Sequence, residues 1–306
     1  MIEPIRTVLV PHLGGIKVGY RVSEPVLDPA KPVVVMFNPF TTTAEYYLPE
    51  FKNKALRDSL NLVAIEPLGH GQTRLMKTES FTYWDSAIMA FQVLDTLGID
   101  KVFALGTSQG GWIAARMALL APERVKGIIA LGSSMDAETA KSRELGCWDG
   151  PAACSGLVTL AGNLAPAHDF EPGDSYYDFL MEIGYGKAID KEMRDFWART
   201  IRETYHGDKG KRRICMAAVA LAGRDGLHER LSLVKCPVLW MQGTDDVVFS
   251  FRQAEEDIKL FINSASTKLV RCEGGVHFLG RTHPEKIQQE LLEFVFAWNG
   301  RGKSVL

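Results

Sequence analysis

Residues 102–112 read VFALGTSQGGW. An apolar run with the composition of a buried strand stops at Gly106, and a helical apolar period starts again at Gln109. Ser108 stands in the turn between them, with Gly106, Gly110 and Gly111 around it. Such a strand-to-helix turn presents one side chain at the rim of a sheet by straining its backbone, and only small neighbours fit beside it. The pattern G-x-S-x-G in this setting makes Ser108 the candidate nucleophile. The following helix directs unsatisfied N–H groups and the positive end of its dipole at the serine, which favours negative charge developing there. The backbone N–H of Gln109 is then a first oxyanion donor.

Working outward, five further runs resemble 101–106: PVVVMF (32–37), NLVAI (61–65), KGIIALG (126–132), PVLWMQG (237–243) and TKLVRC (267–272). They are continuously apolar rather than alternating, as expected of strands buried on both faces of a parallel sheet. Helical stripes lie between them at 82–97, 109–121, 251–262 and 285–298. In the first, Thr82 and Asp85 have the spacing of a capping box. Strand–helix alternation predicts an α/β fold, an open, mostly parallel sheet with helices on both faces joined by right-handed crossovers. From about Met135 to Leu231 no buried strand is predicted. Helical patterns there carry Trp148, Tyr176, Tyr177, Phe179, Tyr185, Phe196 and Trp197, which predicts a mainly helical insertion on the sheet's C-terminal edge. At any one of these positions a core role is the expectation.

The composition narrows the partner. With 35 Lys+Arg against 37 Asp+Glu and no block of like charge, nothing marks a nucleic-acid or membrane surface. A small-molecule partner is expected, with a homo-oligomer left open. No run approaches a bilayer span and no export signal opens the chain, so a cytoplasmic location is expected. The C-terminal Ser304-Val305-Leu306 lacks the basic middle residue of a peroxisomal address. Five cysteines, an odd number with no C-x-x-C, predict free thiols rather than disulfides or a zinc site.

A serine hydroxyl needs a base, and the base needs a carboxylate to fix its tautomer. After the run 237–243 comes Gly243-Thr244-Asp245-Asp246-Val247-Val248, which places a carboxylate at a strand end. After 267–272 comes Glu273-Gly274-Gly275-Val276-His277-Phe278, a flexible loop with a histidine ahead of the last helix. With GTSQGG, GTDDVV, GGVHF and the turn Gly69-His70-Gly71, the chain resembles the α/β-hydrolase family over nearly its whole length. The resemblance implies a core of 1–134 and 232–306 with a helical cap at 135–231, and a triad of Ser108, Asp246 and His277. Asp246 is preferred over Asp245 by the G-x-x-D pattern, and Asp136 is the reserve acid. His70 is expected to be a hydrogen-bonded turn residue, His283 exposed, and His12, His168, His206 and His228 on the surface.

The family's second oxyanion donor comes from the loop after an early strand, usually His-Gly-X. Here that loop reads Phe37-Asn38-Pro39-Phe40-Thr41-Thr42-Thr43, so Asn38 and Pro39 depart from the pattern and Phe40 is the implied donor. Proline has no N–H, so a shift of one residue would remove the donor. The resemblance implies hydrolysis of an ester or lactone without metal or organic cofactor. Thioester cleavage and hydrolytic C–C cleavage are alternatives on the same triad. A ligand receptor on this scaffold is the alternative of another class.

Overall fold

In the computed structural model, which describes residues 2–163, 165–186 and 189–300, the strands form one nine-stranded sheet. They are β1 (Arg6–Val10), β2 (Ile16–Val22), β3 (Val33–Phe37), β4 (Asn61–Ile65), β5 (Arg74–Leu75), β6 (Val102–Thr107), β7 (Val125–Leu131), β8 (Val238–Gly243) and β9 (Thr267–Cys272). Their order is β1-β2-β4-β3-β6-β7-β8-β9, with β5 paired to β2. From β4 to β9 along that path every pairing is parallel, whereas β2 runs antiparallel to β1, β4 and β5. One level of the register runs Met36, Leu105, Ile129, Leu239, Lys268 across five strands.

Successive residues of a strand point to opposite faces, and each face here has its own core. Val35, Ala104, Ile128, Ala130 and Trp240 join one cluster, together with Trp112 and Ile113. That cluster is completed by α3 (Tyr83–Thr96), α4 (Gln109–Leu120) and α10 (Phe251–Asp257). Met36, Leu105, Ile129, Leu239 and Met241 face the other way. They pack on α1 (Leu48–Lys52), α2 (Lys54–Ser59), α11 (Leu279–Thr282) and α12 (Pro284–Asn299). Coverage on both sides explains the absence of polar alternation in the central strands. The capping box opens α3 as expected, with Asp85 accepting from the Thr82 amide at 2.7 Å.

Between β7 and β8 the described residues hold helices and no strand: α5 (Ala140–Glu144), α6 (Gly150–Ala161), α7 (Asp174–Tyr185), α8 (Lys191–Tyr205) and α9 (Gly207–Ala222). Tyr177, Tyr185 and Trp197 are buried there in a third cluster with Leu180, Ile201 and Tyr205, while Trp148, Tyr176 and Phe196 are half-buried. Phe179 departs from the expected core role and is 42% exposed. The helix expected over 251–262 ends at Asp257 and tightens into the 3-10 turn Ile258–Leu260. All five cysteines are free. No helix among the described residues is long and apolar enough to cross a membrane.

Candidate active site

Ser108 occupies the turn from β6 into α4 with φ 53° and ψ −122°, a region that non-glycine residues enter only under constraint. The constraint is close packing. A Cβ on Gly106 would lie 2.0 Å from the Gly110 backbone, and one on Gly110 would lie 2.2 Å from the Phe37 carbonyl oxygen. The turn is further pinned by Ser108 N–H donating to Leu131 O (2.9 Å) and by Ser133 Oγ donating to Ser108 O (2.9 Å).

Three strand ends meet at this point. His277, in the loop after β9, holds Nε2 2.9 Å from Ser108 Oγ and Nδ1 at 3.1 and 3.0 Å from the two oxygens of Asp246. A carboxylate only accepts, so Nδ1 carries the proton and Nε2 is free to accept from the serine hydroxyl. Asp246 follows β8, and its Oδ1 accepts the N–H groups of Val248 (2.8 Å) and Phe249 (3.0 Å). Its Oδ2 accepts from Gln242 Nε2 at 2.7 Å. All three side chains are buried, with Ser108 8% exposed. Such a chain can move a proton from hydroxyl to imidazole while a fixed carboxylate faces the resulting charge.

Asp245, beside Asp246, is exposed and takes a hydrogen bond from Thr244 Oγ1 (3.1 Å). Asp136 accepts from Ala137 N–H (2.8 Å) and Thr139 Oγ1 (2.6 Å). Neither carboxylate is among the partners of His277.

The loop with the unexpected Asn38-Pro39 is folded by that asparagine. Asn38 Nδ2 donates to Thr42 O (2.9 Å) and Pro39 O (3.2 Å), closing a tight turn under Phe40. Thr41, at φ 56°, donates from Oγ1 to Phe40 O (2.9 Å) and accepts from Tyr176 OH of α7 (2.8 Å). Phe40 is half-buried, and its ring meets His70 edge-on at 6.0 Å. Gln109 opens α4, within the first turn whose N–H groups have no intrahelical acceptor.

Two supports were invisible to sequence reasoning. One is Gln242, the penultimate residue of β8, whose amide also donates to Phe249 O at 2.7 Å and so braces the turn that carries Asp246. The other is the Gln109 side chain, fully buried, which donates from Nε2 to His70 Nε2 (2.9 Å) and Asn38 O (3.3 Å) and accepts from Tyr83 OH (3.1 Å). His70 Nδ1 donates to Leu68 O (2.9 Å), so the ring is neutral with its proton on Nδ1. Burial pushes its pKa down to about 4, against the smaller opposing pull of Leu68 O. His70 is thus the hydrogen-bonded turn residue that was expected, and in addition it ties the Gly69–Gly71 turn to the loop of Asn38.

Three other histidines depart from expectation. His12 and His228 are half-buried and paired with Asp85 and Asp257, each at 2.8 Å, and His283 is half-buried with Nε2 3.0 Å from Glu273 O. His168 and His206 are exposed. Among the described residues no three His, Cys, Asp or Glu side chains are grouped as a metal site.

A family model described as the alpha/beta hydrolase fold matches residues 32–284. RutD of Stutzerimonas stutzeri, a putative carbamate hydrolase, is 22% identical over 107 residues, 35% of this chain and 40% of that protein. The chain therefore aligns with less than half the length of that curated relative. A hydrolase from Pseudomonas aeruginosa superposes with a TM-score of 0.75 at 18% identity, covering 95% of this chain and 98% of the other. The enol-lactonase from Burkholderia xenovorans LB400 does so at 0.74 and 16% identity, covering 94% and 100%. At such identities the superpositions speak for the fold. With the strand order, the elbow at Ser108 and a family match spanning most of its length, the chain belongs to the α/β-hydrolase fold family.

Proposed function

We propose that the protein is a serine hydrolase that cleaves carboxylic esters or lactones of a small to mid-sized, mainly apolar substrate. Ser108 Oγ attacks the acyl carbon as its proton passes to His277 Nε2, and Asp246 faces the imidazolium that results. The N–H groups of Phe40 and Gln109 hold the tetrahedral oxyanion, a contribution typically worth about 3–4 kcal/mol of barrier per donor. Collapse expels the alcohol, which takes the proton from His277. Water then attacks the acyl-enzyme with His277 as base, releasing acid and free serine. The helices between β7 and β8 would roof the bound substrate, and neither metal nor organic cofactor enters the cycle.

The observation that carries this reading is the unbroken hydrogen-bonded chain from Ser108 Oγ through His277 to Asp246, built on a serine at φ 53°. A strained serine bonded to an imidazole that is itself held by a carboxylate favours an enzyme over a protein that only binds ligand. The lactonase and carbamate hydrolase names among its relatives agree with acyl transfer. The test is to treat the protein with a fluorophosphonate and map the adduct by mass spectrometry, then to assay nitrophenyl esters and lactones. Labelling of Ser108 with turnover lost in Ser108→Ala is expected. Labelling elsewhere, or no turnover by wild type on esters, lactones or thioesters, would overturn the reading in favour of a receptor.

A further inference from the structure

Away from the triad, a cleft of about 560 Å3 lies between α9 and the segment 73–81. Its α9 wall presents Lys209, Arg212, Arg213 and Met216, the i, i+3, i+4, i+7 face of one helix. Arg74 and Phe81 face them, and Glu79 is the one carboxylate among the described lining residues. Glu79 is taken by Arg212 at 2.9 Å, where both side chains are more than half exposed. The other three cations have no carboxylate within 4.0 Å among the described residues. Among the described residues Arg74 donates to the carbonyls of Gly71 (2.6 Å) and Thr73 (2.8 Å). Arg213 donates to Thr204 O, and its Nε is buried without an acceptor. Lys209 is exposed.

This arrangement is costly as it stands. Arg74 and Arg213 are both half-buried. Burial lowers the pKa of Arg213 to about 10, and the Arg74 charge beside it pushes the same way. Burial likewise lowers Arg74. Glu66 acts on Arg74 only from beyond contact distance, and the carboxylate touches neither guanidinium, so two partly desolvated cations side by side oppose folding and an anion seated between them offsets that cost. Guanidinium forks match carboxylate and phosphate oxygens. Phe81 and Met216 make part of the cleft apolar, and its volume is that of a small-molecule site.

We propose that this cleft binds an organic anion with an apolar chain, a phosphate monoester or carboxylate whose head sits between Arg74 and Arg213 and whose chain lies on Phe81 and Met216. The assignment is independent of the hydrolase reading, because no residue of the triad takes part.

The test is titration calorimetry of the full chain at fixed ionic strength with hexyl phosphate, hexanoate, inorganic phosphate and hexanol. Hexyl phosphate is expected to bind saturably at one site, inorganic phosphate about tenfold more weakly and hexanol not at all. Arg74→Gln and Arg213→Gln should each weaken hexyl phosphate roughly tenfold or more, and Ser108→Ala should leave its affinity unchanged. Lys209→Ala, at an exposed position that does not threaten folding, should weaken it about threefold. Affinity unchanged in Lys209→Ala and in both arginine variants would overturn the site. Equal affinity for inorganic and hexyl phosphate would overturn the apolar part. Binding to phosphatidylglycerol vesicles without binding to hexyl phosphate would overturn the pocket in favour of a membrane surface.

Discussion

Acidification tests the description of His70 as a buried neutral ring. Its folded pKa is about 4 against 6.5 for an ordinary histidine, so between those values the unfolded chain binds the proton and the native state does not. Stability from this group is therefore complete above pH 6.5 and is lost as pH falls toward 4. The linkage relation gives a loss of about 2 kcal/mol by pH 5 and about 3 kcal/mol below pH 4. The structural cost is specific. A protonated ring would turn Nε2 from acceptor to donor against the Gln109 amide 2.9 Å away, inside a site with 1% exposure. The assay is urea unfolding of wild type and His70→Gln at pH 7 and pH 5, since other titrating groups cancel in the difference between the proteins. The variant should be less stable at pH 7 by about 1–2 kcal/mol through lost hydrogen bonding. Its loss between pH 7 and 5 should be smaller than that of wild type by about 2 kcal/mol. Parallel losses in the two proteins would refute the neutral, Nδ1-protonated ring.

Other perturbations follow the same reasoning. Burial raises Glu50 to about 7 and leaves its Oε2 without a partner, so its carboxylate form opposes folding as pH rises from 4.5 through 7. Glu50→Gln should gain about 1 kcal/mol or more at pH 8 and little at pH 5, measured by chemical unfolding. Ser108→Gly and Ser108→Ala both delete the hydroxyl, but only glycine accepts φ 53° without strain. Glycine should be the more stable of the two by about 1 kcal/mol in thermal melts, and a lower melting point for glycine would contradict the strained turn. Gln242→Leu removes the amide that holds Asp246 Oδ2, so kcat on an active ester should fall about tenfold or more with KM little changed. Tyr176→Phe should lower kcat by a similar factor through the loop of Thr41, and unchanged kcat would show that this hydroxyl does not position Phe40.

The central sheet was legible because its strands are covered on both faces, which writes burial into the sequence as unbroken apolar runs. The first two strands were not. β2 alternates Ile16, Val18, Tyr20 and Val22 with Lys17, Gly19 and Arg21, so it lacks the unbroken apolar run that marks the central strands and carries only the weaker period-two pattern. Two of the three non-apolar positions have a tertiary cause, since a Cβ on Gly19 would lie 2.2 Å from Glu66 Oε2 and Arg21 is buried against Glu45, while Lys17 is exposed. For the site, Ser108 and His277 could be read because glycines mark the turns that expose them. Gln242 and the Gln109 amide could not, since a buried glutamine acquires its meaning only from partners distant in sequence. Asp245 and Asp246 differ by one residue of register after β8, and the half-burial of His12 and His228 is not written locally, because their ion pairs join elements that no local pattern connects. Phe179 lies on the outward side of α7, where residue type alone predicts burial.

The bond from Tyr176 to Thr41 ties α7 to the loop that follows β3. Thr41 holds that bond on the same hydroxyl that donates to Phe40 O, so the placement of α7 and the shape of the loop 38–43 depend on one side chain, and a displacement of either would be felt by the other.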